Sequence, residues 1–294
     1  MIVPAMVGVE ELASLDFVLW HRTGQLAARA MGCNQSTVSR RLARCLAVFE
    51  LPMTRCQGEW VLPFSPLLRL ERELHQLCRL LGHHPLRVEA CPLAGPRLLR
   101  PLPEGWIGGA YDHVGVDRPL HLLRERVIDA WLCDATDDLP AGSMGDELVL
   151  QPLWRSPVQL HAAKGHPLVG ERGLSLDDLR RFPSLDIPAT GFLRSRALFH
   201  EKGLGLSPVN LLRYDPASWE GRSADRATLV CFTPLNRLAS PGLAPLDAPV
   251  PFSNGGGLIC HRELADHPAI QELLGTLQLR LARLAPMLQE LERL

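Results

Sequence analysis

Two short helical patterns separated by a break at Gly32-Cys33 constrain this chain more than any other feature. Thr23 is placed to cap a helix that begins near Gln25 and contains Ala27 and Ala28, residues small enough for close helix packing. Gly32 ends it, and Asn34 caps the next helix, whose apolar positions Val38, Leu42, Cys45, Leu46 and Phe49 share one face. The opposite face carries Gln35, Ser36, Ser39, Arg40 and Arg44, with Thr37 and Arg41 on its flanks. Upstream, Leu12, Leu15 and Leu19 fall three and four residues apart and predict a preceding helix with one buried face. Two helices about a tight glycine turn, the second polar at its start and basic beyond, form a helix-turn-helix pattern. Gln and Ser reach base edges and Arg reaches guanine or phosphate, so these residue types suit a helix that reads a groove.

Charge points the same way. The chain carries a formal charge of −1, yet the six arginines between Trp20 and Trp60 against Glu50 and Glu59 leave that segment at +4. A compact basic segment on a neutral protein is the footprint of a phosphate contact, although a solvated helix face also produces one. Arg55 to Leu62 reads as a short hairpin, or wing, about Gln57-Gly58. The candidate DNA-contact residues are therefore Thr23, Gln25, Asn34, Gln35, Ser36, Thr37, Ser39, Arg40, Arg41, Arg44 and Arg55.

After Pro63 and Pro66, Leu67, Leu70, Leu74, Leu77 and Leu81 follow the 3, 4, 3, 4 spacing of a heptad seam. Such a seam serves either a dimerising helix or a core helix of one domain. After a basic helix-turn-helix, which gains from binding two half-sites, a dimerising linker ending at His83-His84-Pro85 is expected.

From Leu86 onward short β-rich runs alternate with helical ones, the pattern of α/β units. Strands are expected at 86–90, 127–133, 158–162, 184–187, 210–214, 228–232 and 257–260, and helices at 174–181, 192–201 and 267–285. With 294 residues, 46% of them hydrophobic and 21% charged, the chain is long enough for about two domains, and wholesale disorder is not expected. The eight cysteines lack C-x-x-C or His/Cys knuckle spacing, so neither a structural zinc nor a disulfide framework is expected. No apolar run is long enough to span a membrane, and Glu10 and Glu11 stand where a signal peptide would be apolar, so a cytoplasmic protein is expected.

Catalytic signatures are missing. Ala141 to Gly145 lacks the spacing of a nucleophile elbow, and Gly255-Gly256-Gly257 has no following Lys-Ser/Thr. Asp134, Asp137 and Asp138 crowd one loop and are expected to form a solvated turn. The expectation is a protein that is not an enzyme and carries no cofactor or metal.

At the level of motifs the chain resembles the LysR-type transcriptional regulators. Asn34-Gln35-Ser36-Thr37-Val38-Ser39-Arg40 is close to the family's S-Q-S-x-V-S-R recognition helix. Ile128 to Leu132 is similar to its L-D-x-x-I strand, Gly165 to Leu168 with Leu174 to Leu179 to its D-H-P-L…L-x-x-L segment, and His267 to Ile270 to the opening of its last helix. The order of these motifs spans nearly the whole chain. Arg22-Thr23 stands where the family carries G-S, and 226–234 replaces its glycine-rich G-x-G-x-x-x-L-P stretch.

The resemblance implies an α/β protein with an N-terminal winged helix-turn-helix (1–62) and a linker helix (63–85). A two-lobed, periplasmic-binding-protein-like effector domain (86–294) would follow. Lobe I would hold 86–160 and 258–294 and lobe II 161–257, with crossings near 160–164 and 254–261. It implies double-stranded operator DNA, self-association as a dimer or tetramer, and the transcription machinery as partners, with no membrane. An effector, where one is used, would lie between the lobes at positions matching Cys91, Pro92, Leu93, Thr136, Thr190, Gly191, Phe192 and Thr233. Thr190 and Gly191 precede a helix whose positive end suits a carboxylate. A regulator that senses a small, anionic metabolite and one that senses no ligand both remain open.

Overall fold

The computed structural model describes residues 7–56, 58–188, 192–208, 213–214, 229–232, 235, 242–248, 252–288 and 291–294. Among these, no helix is long and apolar enough to cross a membrane. The chain forms two compact units, one of residues 1–88, 104–110 and 121–129, the other of 89–103, 111–120 and 130–294.

In the first unit, α1 (Val9–His21), α2 (Gly24–Ala30) and α3 (Gln35–Phe49) pack on one another. The expected one-sided face of α1 is too narrow a description, because Leu12, Ser14, Leu15 and every residue from Asp16 to Trp20 are buried. α1 is a central helix, covered on several sides, and for that reason a leucine stripe alone did not describe it. Arg22 ends it in the left-handed conformation (φ 67°), a region that favours glycine. The Arg22 backbone is held there by donors from the wing, β1 (Thr54–Cys56) paired with β2 (Glu59–Val61). Trp60 Nε1 and Arg55 Nη2 both donate to the Arg22 carbonyl (2.8 and 3.3 Å), and Arg22 Nε meets Glu59 at 2.7 Å.

α4 (Pro66–Leu80) starts on Ser65, whose hydroxyl accepts from the Leu68 amide. Its buried face is Leu68, Arg72, Gln76 and Arg79, while the seam leucines point to solvent. Those buried cations sit in a polar core. Asp16 of α1 accepts from Arg72 Nε (2.9 Å) and from Arg87 Nη1 (3.1 Å), and Arg72 Nη1 also reaches Glu125 (2.6 Å). Asp129 takes Arg79 Nε and Nη2 (2.9 and 2.8 Å), Gln76 Nε2 (2.9 Å) and the Arg87 backbone amide (2.8 Å). Arg126 Nη1 donates to Gln76 Oε1. Burial, then the neighbouring Arg79 charge, push the Arg87 guanidinium down to about 10. The Arg87 guanidinium also lies 4.8 Å over the Phe17 ring. Leu86–Val88, the start of β3 (Leu86–Ala90), pair in parallel with β4 (Trp106–Gly108).

The second unit holds two sheets. In lobe I, β10 (Ser253–His261) lies between β5 (Ala130–Cys133) and β6 (Leu148–Pro157), antiparallel to both, and β11 (Glu292–Arg293) extends β6 at the edge. The Cys91 amide beyond β3 donates to Leu132 of β5. Beyond the short helices α5 (Gly95–Leu98) and α6 (Asp117–Arg124), the last long helix, α9 (Pro268–Leu284), buries Ile270, Leu273, Leu277 and Leu281, and Arg280 donates to the Leu98 carbonyl. In lobe II, β7 (Gln159–Ala163) lies between β8 (Leu229–Phe232) and β9 (Leu243–Pro245). Its core gathers Leu160, Ala162, Leu179, Phe199, Leu204 and Leu229 with the helices at Leu176–Arg180 and Leu193–Glu201, here α7 and α8.

Several expectations shift. β6 is a ten-residue strand in a stretch where the sequence pattern predicts none. β6 and β7 belong to different sheets, so the chain passes from one sheet to the other at Val158 and is back in the first by Ser253. Strand 127–133 begins only at Ala130, because 127–129 serve the polar core of the first unit. Segment 184–187 makes single bridges from Ser184 and Leu185 rather than a strand. Residues 210–212 of the expected strand 210–214 lie outside the described residues. The triple glycine is a strand packed tightly on its neighbours, since a Cβ on Gly256 would come within 2.0 Å of the Trp154 ring.

Candidate functional site: the helix-turn-helix face and the inter-lobe cleft

The start of α3 is open to solvent. Gln35, Ser36, Ser39 and Arg40 are exposed, Thr37 is half-buried, and Val38 and Cys45 anchor the helix inward. Burial in that core pushes the Cys45 thiol up to about 12. Asn34 holds the N-cap position, but its side chain makes no capping bond; the helix begins without one. Thr23 does cap α2, its hydroxyl accepting from the Leu26 amide at 3.2 Å, and Gln25 is exposed in the first turn. Gln35 lies against the start of α2, where a Cβ on Gly24 would meet Gln35 Cγ at 3.4 Å. Arg40 Nε donates back to the Ser36 carbonyl, 3.4 Å away, which holds its stem along the helix.

The remaining cations are less free than their positions suggest. Arg41 pairs with Glu10 (2.8 Å) and Arg44 with Glu11 (3.6 Å), both acids in the first turn of α1. The Arg44 side chain nevertheless keeps 71% of its exposure, against 28% for Arg41, so Arg44 is the better placed for a phosphate. Arg55 turns toward its own domain, donating to Arg22 and stacking 4.6 Å over Trp60. Leu67, Leu70, Leu74, Leu77 and Leu81 are 68, 63, 55, 49 and 74% exposed, so the seam is no part of this chain's own core.

Within the second unit, the lobes meet where the η-turn Thr136–Asp138 after β5 faces the first turn of α8. Asp138 is buried, and its carboxylate accepts from the Ser195 amide (2.8 Å), the Ser195 hydroxyl (2.5 Å) and Asn254 Nδ2 (2.7 Å). Asp137 pairs with Arg155 of β6 (2.8 Å) and Arg194 of α8 (2.9 Å). The expectation of a solvated acidic turn fails here, because these carboxylates are consumed by donors from distant parts of the chain. Asn254 carries the turn further: its Oδ1 accepts from the Asp137 and Gly255 amides.

The residues implied by resemblance for an effector are distributed unevenly. Thr136 is at the junction, with its Oγ1 so near Gly255 that a Cβ there would lie 2.4 Å from it. Phe192 is the N-cap of α8 and offers no side-chain acceptor. Cys91 is buried, with Pro92 and Leu93 half-buried beside it. The bond to Cys133, then burial, push the Cys91 thiol well above its ordinary value, and burial raises the Asp134 carboxyl beside it. Thr190, Gly191 and Thr233 lie outside the described residues. Among the described residues, no group of three or more His, Cys, Asp or Glu side chains is arranged to hold a metal ion.

The buried charges at Asp16, Arg72, Arg79, Arg87 and Asp129, and the Asp138 junction, follow from no local spacing in the sequence. One signal was available: Arg72, Gln76 and Arg79 share the face of Leu68 at helical spacing, so polar residues occupy the positions of an apolar stripe.

No known family and no curated protein matches the sequence. Solved structures do match. A full-length mutant of OxyR from Pseudomonas aeruginosa is 15% identical with a TM-score of 0.56, over 94% of this chain and 96% of that one. ArgP from Mycobacterium tuberculosis is 15% identical with a TM-score of 0.52, over 94% and 97%. The regulatory domain of CcmR from Synechocystis, solved in complex with 2-PG, is 17% identical with a TM-score of 0.52, over 67% and 96%. From its first helix to its last, the chain has the α/β fold of the full-length LysR-type regulators.

Proposed function

We propose that this protein is a sequence-specific, DNA-binding transcriptional regulator, not an enzyme, and that it works as a homo-oligomer. The observation that carries the reading is the exposed start of α3, where Gln35, Ser36, Ser39 and Arg40 face solvent at the end of a helix that would enter the major groove. Arg44 and Arg29, both exposed, are suited to phosphates on either side. Self-association is supported by the five leucines along α4. Their seam is an apolar stripe of the kind that marks an interface, and full burial of each side chain would contribute about 1.5–3 kcal/mol. A second copy presenting the same seam satisfies both the heptad spacing and the need of a helix-turn-helix for two half-sites.

The test is a binding titration on duplexes selected by the protein from a random pool, against scrambled duplexes of the same composition. Gln35→Ala should lose about 1–3 kcal/mol on the selected sequence and little on the scrambled one, because a base contact is removed. Equal losses on both would show that α3 does not read sequence.

The two-lobed half supports a sensing role; the CcmR regulatory domain that it is similar to was solved in complex with 2-PG. In this chain the junction between the lobes contains carboxylates of its own, at Asp137 and Asp138. That observation favours the second reading, a regulator that needs no small ligand.

A further inference from the structure

α8 begins on Phe192, which has no side-chain acceptor to offer the free amides of the first turn. The acceptor comes instead from 57 residues upstream and from the other lobe: Asp138 takes the amide of Ser195, the third residue of the helix, on one oxygen and its hydroxyl on the other. Asn254, at the point where the chain re-enters lobe I, donates to the same carboxylate and to the Ser195 hydroxyl (3.2 Å). Asp137 adds a charged link from the same turn to Arg194 of α8, and Arg155 of β6 holds that carboxylate from the lobe I side. α8 belongs to lobe II through Phe199, fully buried in that lobe's core. The turn therefore joins the lobes through two carboxylates that supply what a bound anion would supply: negative charge and acceptor oxygens at a helix N-terminus.

We propose that Asp138 is a built-in ligand of α8, a latch that holds the two lobes closed without any small molecule. The proposal deepens the regulator reading and rests on it for its biological meaning. A tethered carboxylate, already oriented and buried, competes at far higher effective concentration than a free one. An external carboxylate should consequently find no vacancy at this helix in the natural chain, and one should appear when the Asp138 side chain is shortened.

The experiment compares the full chain with Asp138→Ala, following thermal unfolding in sodium formate against sodium chloride of equal ionic strength. Formate should restore at least half of the Tm lost by Asp138→Ala and leave the natural chain unmoved. Restoration no better than with chloride, or an equal rise in the natural chain, overturns the latch. Should Asp138→Ala fail to fold, Asp138→Asn keeps the volume and one acceptor oxygen but loses the charge. Hydrogen exchange in Leu193–Glu201 should then become about tenfold faster, and unchanged exchange there overturns the proposal. Neither readout involves DNA, so a failure of the latch and a failure of the DNA-binding reading are told apart.

Discussion

Asp16→Ala tests the polar core of the first unit directly. Asp16 keeps 2% of its side-chain exposure, and the two guanidiniums that it accepts from, Arg72 and Arg87, keep 1% and 7%. Their losses differ. Arg72 retains Glu125 at 2.6 Å, whereas Arg87 retains the Val127 carbonyl at 3.0 Å and the face of the Phe17 ring but no paired carboxylate, and has the Arg79 charge close enough to depress its pKa. The substitution thus strands one buried cation and weakens the pairing of a second. Removing one partner of a buried ion pair costs about 3–5 kcal/mol, because the remaining charge stays desolvated without its counter-charge. At roughly 2–4 °C per kcal/mol for a domain of this size, the unfolding transition should fall by roughly 6–20 °C in differential scanning calorimetry. Asp16→Asn, which keeps an acceptor oxygen but not the charge, should fall between. The combined variant Asp16→Leu, Arg72→Met, Arg87→Met removes all three charges together and should recover most of the loss, since apolar replacements of buried ion triads are tolerated. A cost below about 1 kcal/mol for Asp16→Ala would show that the three side chains are not coupled as drawn.

Two further outcomes follow from other parts of the chain. Leu74→Glu places a charge in the middle of the exposed seam and should shift the assembly toward monomer in analytical ultracentrifugation, while leaving the Tm of the monomer nearly unchanged because Leu74 contributes little to its own chain's core. Asp134→Asn should raise the Tm at pH 7 and lose that advantage as the pH approaches 4. Burial raises the folded-state pKa of this carboxyl, so the stability it contributes in the neutral form declines as the pH rises from the unfolded value of 3.8 through the folded one. A Tm gain independent of pH would assign the effect to packing instead of charge.

The amino-terminal helices and the seam were legible because their signals are local. Thr23, the Ala27-Ala28 pair and the Gly32 break act within a few residues of themselves, and each has its expected place in the structure. The heptad leucines were legible for the same reason, yet periodicity could not say which side of α4 the chain covers. Burial decided it, and the covered side is the one carrying Arg72, Gln76 and Arg79. Asn34 illustrates the limit of capping arguments: the residue type and position are right, and the side-chain bond is absent. Arg22 is a converse case. Its departure from glycine was visible, but the left-handed backbone it adopts is held at its carbonyl by Arg55 and Trp60 of the distant wing.

The charged residues that organise both units share this dependence on distant partners. Single-sequence reasoning assigns a charged residue to solvent, because an isolated buried charge is costly. The exception is a charge whose counter-charge is brought to it by topology. Asp16 meets Arg72 and Arg87 across 56 and 71 residues, and Asp138 meets Ser195 and Asn254 across 57 and 116. No spacing rule reaches so far. The cue that survives in sequence is a mismatch: a charge inside an apolar run, as with Asp16 between Leu15 and Phe17, or on the buried stripe of an amphipathic helix, as with Arg72 and Arg79. Where such mismatches occur in both signs, they predict pairing with one another, and here that pairing ties α1 and α4 to the segment 125–129 and to the first residues of β3. A helix fixed by charge on one face and lined with leucine on the other is held in register by its own chain, so in the proposed homo-oligomer the seam would be presented already ordered and association would not meet that conformational cost.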